Sequence, residues 1–398
     1  VMLARELPRE SSGPIALRAR RRAWRLDERW RLLLAVLCGK LTVLLVVFMA
    51  YTLLPFYTDE FKVNFVDPAV LRDGLARAFS TWDAQHYLYL SESGYHAGQM
   101  SDAFFPLFPL LIHITTPIFG SSLAAGLVMA NLASMAGIYF LFQLVTALQG
   151  RAVARGTILL YLAFPTAFFF SLVYSESLFL LLIVLFFYLL LVKRRMDWAA
   201  LPAAILPLAR PEGVLVLLPF AAYWWVERRR LSREALFVLS PLLGAAAYLA
   251  YMRAATGNPL EMFRAMRAYV SDHSITYLFH PATLVRLLFE QPLALHGFTN
   301  SIIDRVVFLL FLLMLALMFR RIHPSLTVYA AAVGLLNVVS GTFMSYSRYV
   351  LLAFPAFVVL ALVLRGRRVR WLTLPLAGSW AILQGLLLAM HALSYWVA

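Results

Sequence analysis

Apolar runs of about twenty residues recur along this chain, and short arginine clusters separate them. A helix of that length crosses roughly 30 Å of hydrocarbon, and backbone inside lipid must satisfy its own hydrogen bonds. The pattern restricts the chain to an all-α polytopic bundle. Candidate spans are 32–54, 121–148, 153–172, 174–192, 197–209, 211–227, 234–254, 303–320, 324–343, 349–365 and 370–392. The short runs 197–209 and 211–227 read as a tight hairpin about Arg210-Pro211. The stretch 105–119 carries Pro106, Pro109, His113 and Pro117, and reads as a half-inserted or interfacial helix rather than a crossing. Composition agrees: of 398 residues 62% are hydrophobic and 14% charged, whereas a soluble domain is about half apolar.

Charge placement orients the bundle. The formal charge of +15 raises the question of nucleic acid, but its distribution answers otherwise. With the N-terminal arm in the cytoplasm and eleven spans, the inner segments hold 24 of the 35 Lys and Arg and 7 of the 20 acids. These basics include nine in residues 1–31, then Arg151 and Arg155, Lys193 to Arg195, Arg228 to Arg230 with Arg233, Arg320-Arg321, and Arg365, Arg367, Arg368 and Arg370. Counting 105–119 as a crossing breaks this bias, so the positive-inside rule favours eleven. The expected organisation is a cytoplasmic basic arm, 1–31, and one membrane domain, 32–398, with outer loops at 55–104 and 255–302. The first run, with its Arg-rich lead, reads as a signal anchor. A single cysteine, Cys38, excludes an intramolecular disulfide and any cysteine-based metal cluster.

This threading gathers the unusual polar residues on the outer side. The first outer loop holds Asp59, Glu60, Asp67, Asp73, Asp83, His86, Glu92 and Asp102, and the second holds Arg264, Arg267, Asp272, His273 and His280. Glu176, Arg210, Glu212 and Arg348 interrupt apolar runs. A charge at a helix centre costs about 2.5–3.5 kcal/mol to insert, and less near the interface. Such residues either pair with one another and snorkel to water, or line one shared polar cavity. Four interruptions on one side favour the shared cavity.

The stretch "TWDAQHYLYLSESGY" (81–95) is the most polar segment beside a span. Ala84 to Ser93 reads as a short helix, with Thr81 or Asp83 as its N-cap and Gly94 just past its end. His86 follows Asp83 by three residues and shares its face. Asp83 reads either as a cap or as a carboxylate that takes a proton from an acceptor hydroxyl. His86 orients or assists it, or merely hydrogen-bonds to it. Trp82 and Tyr95 suit the interface belt. "AFFPLFPLL" (103–111) follows as a rigid aromatic wedge.

These segments resemble the signature of the PIG-V family, also called GPI mannosyltransferase 2, and its prokaryotic relatives. "FPTAFFFSLVYSESLFLLL" (164–182), "LARPEGVLVLLP" (208–219), "GNPLEMFRAMRAY" (257–269) and "YSRYVLLAFP" (346–355) resemble later motifs of that family in the same order. The resemblance runs from about 50 to 365; the arm 1–31 and "HSITYLFHPATLVRLLF" (273–289) fall outside its motifs. It implies a GT-C-type glycosyltransferase that moves a sugar, mannose in the family, from a polyprenyl-phosphate donor to a lipid-linked or glycan acceptor on the extracytoplasmic side. The essential acid would be Asp83, supported by Trp82, His86 and Tyr87. Glu176, Arg210, Glu212, Arg348 and Tyr349 would line the site.

The chemistry expected is single displacement with inversion. Arg348 and Arg210 would hold the donor phosphate, because a guanidinium presents two parallel donors, and Asp83 would act as base. No cofactor follows from the motifs. Asp83, Glu92 and Asp102 share a loop and leave room for a divalent cation, but without a recognised ligand spacing. Compact loops and Arg/Ala/Leu-heavy usage favour a bacterial plasma membrane over the endoplasmic reticulum. Two other readings stay open: a flippase of lipid-linked saccharides, for which Lys40 deep in the first span is the argument, and a non-catalytic lipid-binding subunit.

Overall fold

A computed structural model describes residues 14–57, 72–228, 233–267, 281–289 and 301–397. These residues are helical, with no extended strand among them. Asp59, Glu60 and Asp67 of the first outer loop, and Asp272, His273 and His280 of the second, lie outside the described residues, as do Arg229 and Arg230.

Among the described residues four helices are long and apolar enough to cross a membrane: Trp30–Leu53, Ser122–Gln149, Arg233–Thr256 and Arg370–Ala392. The helices Tyr346–Leu352 and Pro355–Leu364 meet at 87° and form either a broken span or a re-entrant loop. Shorter apolar helices occupy Leu107–Phe119, Glu176–Val192, Met196–Ala209 and Pro324–Val339. Helix length therefore does not support eleven full crossings. Several apolar runs fold as short helices joined by breaks. In "YSRYVLLAFP" the break falls at Pro355, which lacks an N–H and disfavours helix in the residue before it. At Arg210 the backbone is extended, with φ −159° and ψ 155°, and Pro211 opens a 3-10 turn, Pro211–Val216. The chain breaks at Arg210-Pro211, the point about which the sequence suggests a tight hairpin.

The centre of the bundle is the Ser122–Gln149 helix, packed against Leu107–Phe119, Arg151–Ala163 and Glu176–Phe187. Gly126, Ala130, Ala133, Ser134 and Gly137 are buried at spacings of three and four residues, which places them on one face. Small side chains let backbones approach closely. A Cβ on Gly137 would lie 3.2 Å from the Leu181 backbone, so the contact with the Glu176–Phe187 helix depends on that glycine. The aromatic run Phe168, Phe169 and Phe170 is wholly buried just before that helix. It fixes the height at which Glu176 enters the protein.

Lys40 is buried within the first long helix. Its Nζ donates to the Phe170 carbonyl at 2.6 Å and to Ser171 Oγ at 3.0 Å. It caps the 3-10 turn Ala167–Ser171, so this deep charge has a structural use.

Candidate active site

The Asp83–Ser93 helix begins abruptly. Trp82 precedes it with φ 54° and ψ −130°, outside the regions that L-residues favour. Such a conformation costs on the order of 1–3 kcal/mol and persists only where its surroundings impose it. No side chain caps this terminus, which corrects the reading of Thr81 or Asp83 as N-cap. Asp83 is instead the first helical residue, and its carboxylate turns to Arg348. Gly94 ends the helix, as its position suggested.

His86 is fully buried, stacked on Phe104 at 4.6 Å, and its Nδ1 lies 2.9 Å from Ser101 Oγ. Burial lowers its pKa to about 4, opposed by the Asp83 charge. The unfolded chain would protonate this histidine near 6.5, so the stability it contributes is complete above that pH. It is lost as pH falls toward 4, a range worth on the order of 3 kcal/mol. Nearby Asp102 runs the other way, pushed up to about 6 chiefly by burial. The melting temperature of the wild type should therefore fall relative to His86→Gln between pH 6.5 and 4. Asp102 is common to both proteins and cancels; parallel melting curves would show that His86 is not held neutral.

Beyond Asp83 a continuous ladder of opposite charges runs into the protein. Arg348 Nη1 donates to Asp83 Oδ2 at 2.6 Å, and Arg348 Nε donates to Glu176 Oε1 at 2.6 Å. Arg210 Nη1 is 3.0 Å from the same Glu176 oxygen, and the Arg210 fork spans both oxygens of Glu212 at 3.3 Å. Glu176, Arg210, Glu212 and Arg348 are all buried, whereas the Asp83 side chain is 24% exposed. Asp83 is thus the end of the ladder that a reactant can reach. Aromatic rings close the sides. The Arg348 guanidinium lies 4.6 Å from the Tyr174 ring and 4.8 Å from Phe169, and that of Arg210 lies 5.4 Å from Tyr349. Cation–π contacts of this kind are worth about 2 kcal/mol when desolvated. Tyr87 joins through Ser175: its hydroxyl is 2.6 Å from Ser175 Oγ, which also accepts from Arg210 Nη1 at 3.1 Å.

The backbone that carries Arg348 is pinned at both ends of one residue. Asp304 Oδ1 accepts from the Ser347 N–H at 2.7 Å, and Thr166 Oγ1 donates to the Ser347 carbonyl at 2.7 Å. On the Arg210 side the control is steric. A Cβ on Gly213 would lie 2.2 Å from the Leu206 carbonyl and 2.5 Å from Pro207 N. These are backbone atoms, so Gly213→Ala must displace the turn that carries Arg210 and Glu212. We expect about 1–3 kcal/mol of lost stability together with loss of activity. A melting curve within one degree of wild type would refute this account of the turn.

The structure brings Asp83, Glu176, Arg210, Glu212 and Arg348 into one connected array, with Tyr87 and Tyr349 at its edges. Trp82 is buried under the helix start, and His86 packs behind it. Sequence reasoning missed Asp304 and Thr166, which hold Ser347, and Tyr174 with Phe169, which flank Arg348. Asp304 had a usable signal, since it too is an acid at the start of an apolar run. Glu261 was also missed. Fully buried, it accepts from Gly98 N at 2.8 Å and Asn258 Nδ2 at 3.0 Å, and so ties the first outer loop to the "GNPLEMF" segment.

The three first-loop carboxylates diverge. Glu92 pairs with Arg72 and Ser122, Asp102 accepts from the Gln99 N–H, and Asp83 meets Arg348. Among the described residues no group of three or more His, Cys, Asp and Glu side chains is placed to hold a metal ion.

Comparisons with known proteins bear on this arrangement. The family described as mannosyltransferase (PIG-V) matches residues 30–217, which include Asp83, Glu176, Arg210 and Glu212. No curated protein matches the chain. Among solved structures, the fold is similar to that of ArnT from Cupriavidus metallidurans, crystallised bound to undecaprenyl phosphate. The TM-score is 0.52 at 17% identity, over 85% of this chain and 62% of that one. The chain thus spans less than two thirds of that protein, and at this identity the likeness speaks for the fold. Taken with the apolar helices, these findings make the chain an integral membrane protein of GT-C fold whose residues 30–217 are similar to the PIG-V mannosyltransferase family.

Proposed function

We propose that this protein is a glycosyltransferase that moves a sugar, mannose as in the family it resembles, from a polyprenyl-phosphate donor to a hydroxyl of a lipid-linked or glycan acceptor. The observation that carries the proposal is the 2.6 Å contact between Asp83 and Arg348, which lie 265 residues apart in the chain. A partly exposed carboxylate and a buried guanidinium meet at the mouth of a charge ladder. Such a site can handle the two events of the reaction side by side.

In the proposed step the acceptor oxygen attacks the anomeric carbon, and its proton passes to Asp83. The bond from that carbon to the phosphate oxygen breaks with inversion, and polyprenyl phosphate departs carrying the bonding electrons. Arg348 stabilises the charge that develops on the phosphate, the larger electrostatic need. Its Nη1 and Nε hold the two carboxylates, and its Nη2 has no hydrogen bond among the described residues, so the Nη2 N–H groups are left for a phosphate oxygen. Arg210, bound to both Glu176 and Glu212, serves mainly to hold Glu176 in place. His86, buried behind the helix start and 2.9 Å from Ser101 Oγ, supports Asp83 from that side.

The ArnT structure is titled as bound to undecaprenyl phosphate, which supports a lipid phosphate of this kind as the leaving group. The site is read as extracytoplasmic from the arginine distribution, and the bacterial plasma membrane as its location from composition. For the flippase reading, Lys40 was the main argument, and its two hydrogen bonds to the Phe170–Ser171 turn weaken it.

The test is incubation of the purified protein with labelled polyprenyl-phosphate mannose and a bacterial lipid extract. Label should move to a new product and free polyprenyl phosphate should accumulate. Label that remains on the donor, or donor that merely changes leaflet in proteoliposomes, would overturn the reading.

A further inference from the structure

Residues 391–397 form an extension of the Thr373–Ala392 helix that the mechanism does not use. Yet His391, Ala392, Leu393, Ser394 and Val397 are all buried. The segment touches three separate parts of the chain. Tyr57 N donates to the Leu393 carbonyl at 2.9 Å, and the Tyr57 and Tyr395 rings stack at 4.7 Å and 6°. Thr81 Oγ1 donates to the His391 carbonyl at 3.1 Å. His391 Nε2 lies 3.2 Å from the Tyr174 hydroxyl, and the Trp396 ring meets Trp82 edge-on at 5.1 Å and 78°.

Two of these contacts lead directly to the Asp83–Arg348 pair. Trp82 immediately precedes Asp83 and holds the left-handed backbone that starts the helix. Its ring is buried against Trp396, and its neighbour Thr81 is bonded to His391. Tyr174 is the ring against which the Arg348 guanidinium rests at 4.6 Å, and His391 takes hold of its hydroxyl. The same short segment therefore braces the carboxylate on one side and the guanidinium on the other. A strained backbone needs an outside constraint, and here the constraint comes from more than 300 residues away in sequence.

We propose that residues 391–397 are a positioning strap for the Asp83–Arg348 pair, with Trp396 acting through Trp82 and His391 acting through Tyr174. This deepens the catalytic reading above, but its geometric part stands without it. Trp396 reaches the pair through Trp82 and His391 reaches it through Tyr174, so the expected effect is on alignment. A lost constraint should let the 81–86 segment open locally while the rest of the bundle stays closed. Misplacement of a reacting group by about 1 Å can cost up to 100-fold in rate, and should lower kcat more than it raises donor KM.

The experiment is hydrogen exchange by mass spectrometry on wild type, Trp396→Ala, Trp396→Phe and His391→Gln in lipid nanodiscs. It is paired with transfer kinetics on labelled polyprenyl-phosphate mannose. In Trp396→Ala, amides of 81–86 should exchange about 10–100-fold faster while those of 122–149 stay within about twofold of wild type. Its kcat should fall at least about tenfold with donor KM within about threefold, and Trp396→Phe should restore most of the loss. Unchanged exchange at 81–86, or an equal rise at 122–149, would overturn the strap. If Trp396→Ala does not fold, His391→Gln decides the same question by the same two peptides. If exchange changes as expected but no variant, wild type included, transfers label, the strap stands and the glycosyltransferase reading falls.

Discussion

Replacing Arg348 with Met should cost about 3 kcal/mol of stability and abolish transfer, because one side chain serves two carboxylates. Its Nε and Nη1 each donate at 2.6 Å, to Glu176 and Asp83 respectively. Removing one partner of a buried ion pair typically costs about 3–5 kcal/mol, since the other charge is left without compensation. Here the lower end applies: Glu176 keeps Arg210 at 3.0 Å, and Asp83 retains some access to water. Arg348→Lys separates the two effects. A lysine carries the charge but presents a point donor rather than a planar fork, so it can satisfy one carboxylate well and not both. It should recover part of the thermal stability and little of the turnover, with a raised donor KM. Donor KM equal to wild type in Arg348→Lys would remove this residue from the phosphate.

Asp83→Asn is the second large effect and has the opposite profile. The amide is nearly isosteric, the position is partly exposed, and its carbonyl oxygen can still accept from Arg348. Melting temperature should change little. Transfer should fall by about 10²–10⁴-fold, the usual worth of a general base. If the purified variant turns over labelled donor at near wild-type rate, the base assignment is wrong. Combined with Arg348→Met, the loss of activity should be far less than the sum of the two in free energy, because residues that act as one unit do not add.

Much of this site was legible before the fold was known, for a physical reason. Lipid makes a stray charge expensive, so Glu176, Arg210, Glu212 and Arg348 announced themselves by interrupting apolar runs. The arginine clusters then predict that those interruptions share one side of the membrane. What the sequence could not supply was the pairing. Whether Glu176 faces Arg210, Arg348 or both depends on how helices pack across more than 170 residues, which no local pattern encodes. The role of Thr81 and Asp83 at the helix start was misjudged for a related reason. A cap is a local preference, and here a tertiary contact overrides it by turning Asp83 to Arg348. Helix length does not confirm eleven crossings, because hydropathy measures how apolar a run is and says little about where Pro355 or Arg210-Pro211 will break it. Trp82 gives no sign in the sequence of its left-handed backbone, since nothing about a tryptophan predicts φ 54°.

The doubly anchored guanidinium has one more consequence. Scaffold and chemistry here depend on a single joint, so selection cannot tune one without disturbing the other. Diversity among relatives in what they glycosylate should therefore be written into the surrounding outer segments, while the joint itself tolerates almost no drift. Directed evolution toward a new acceptor would do better to leave it alone.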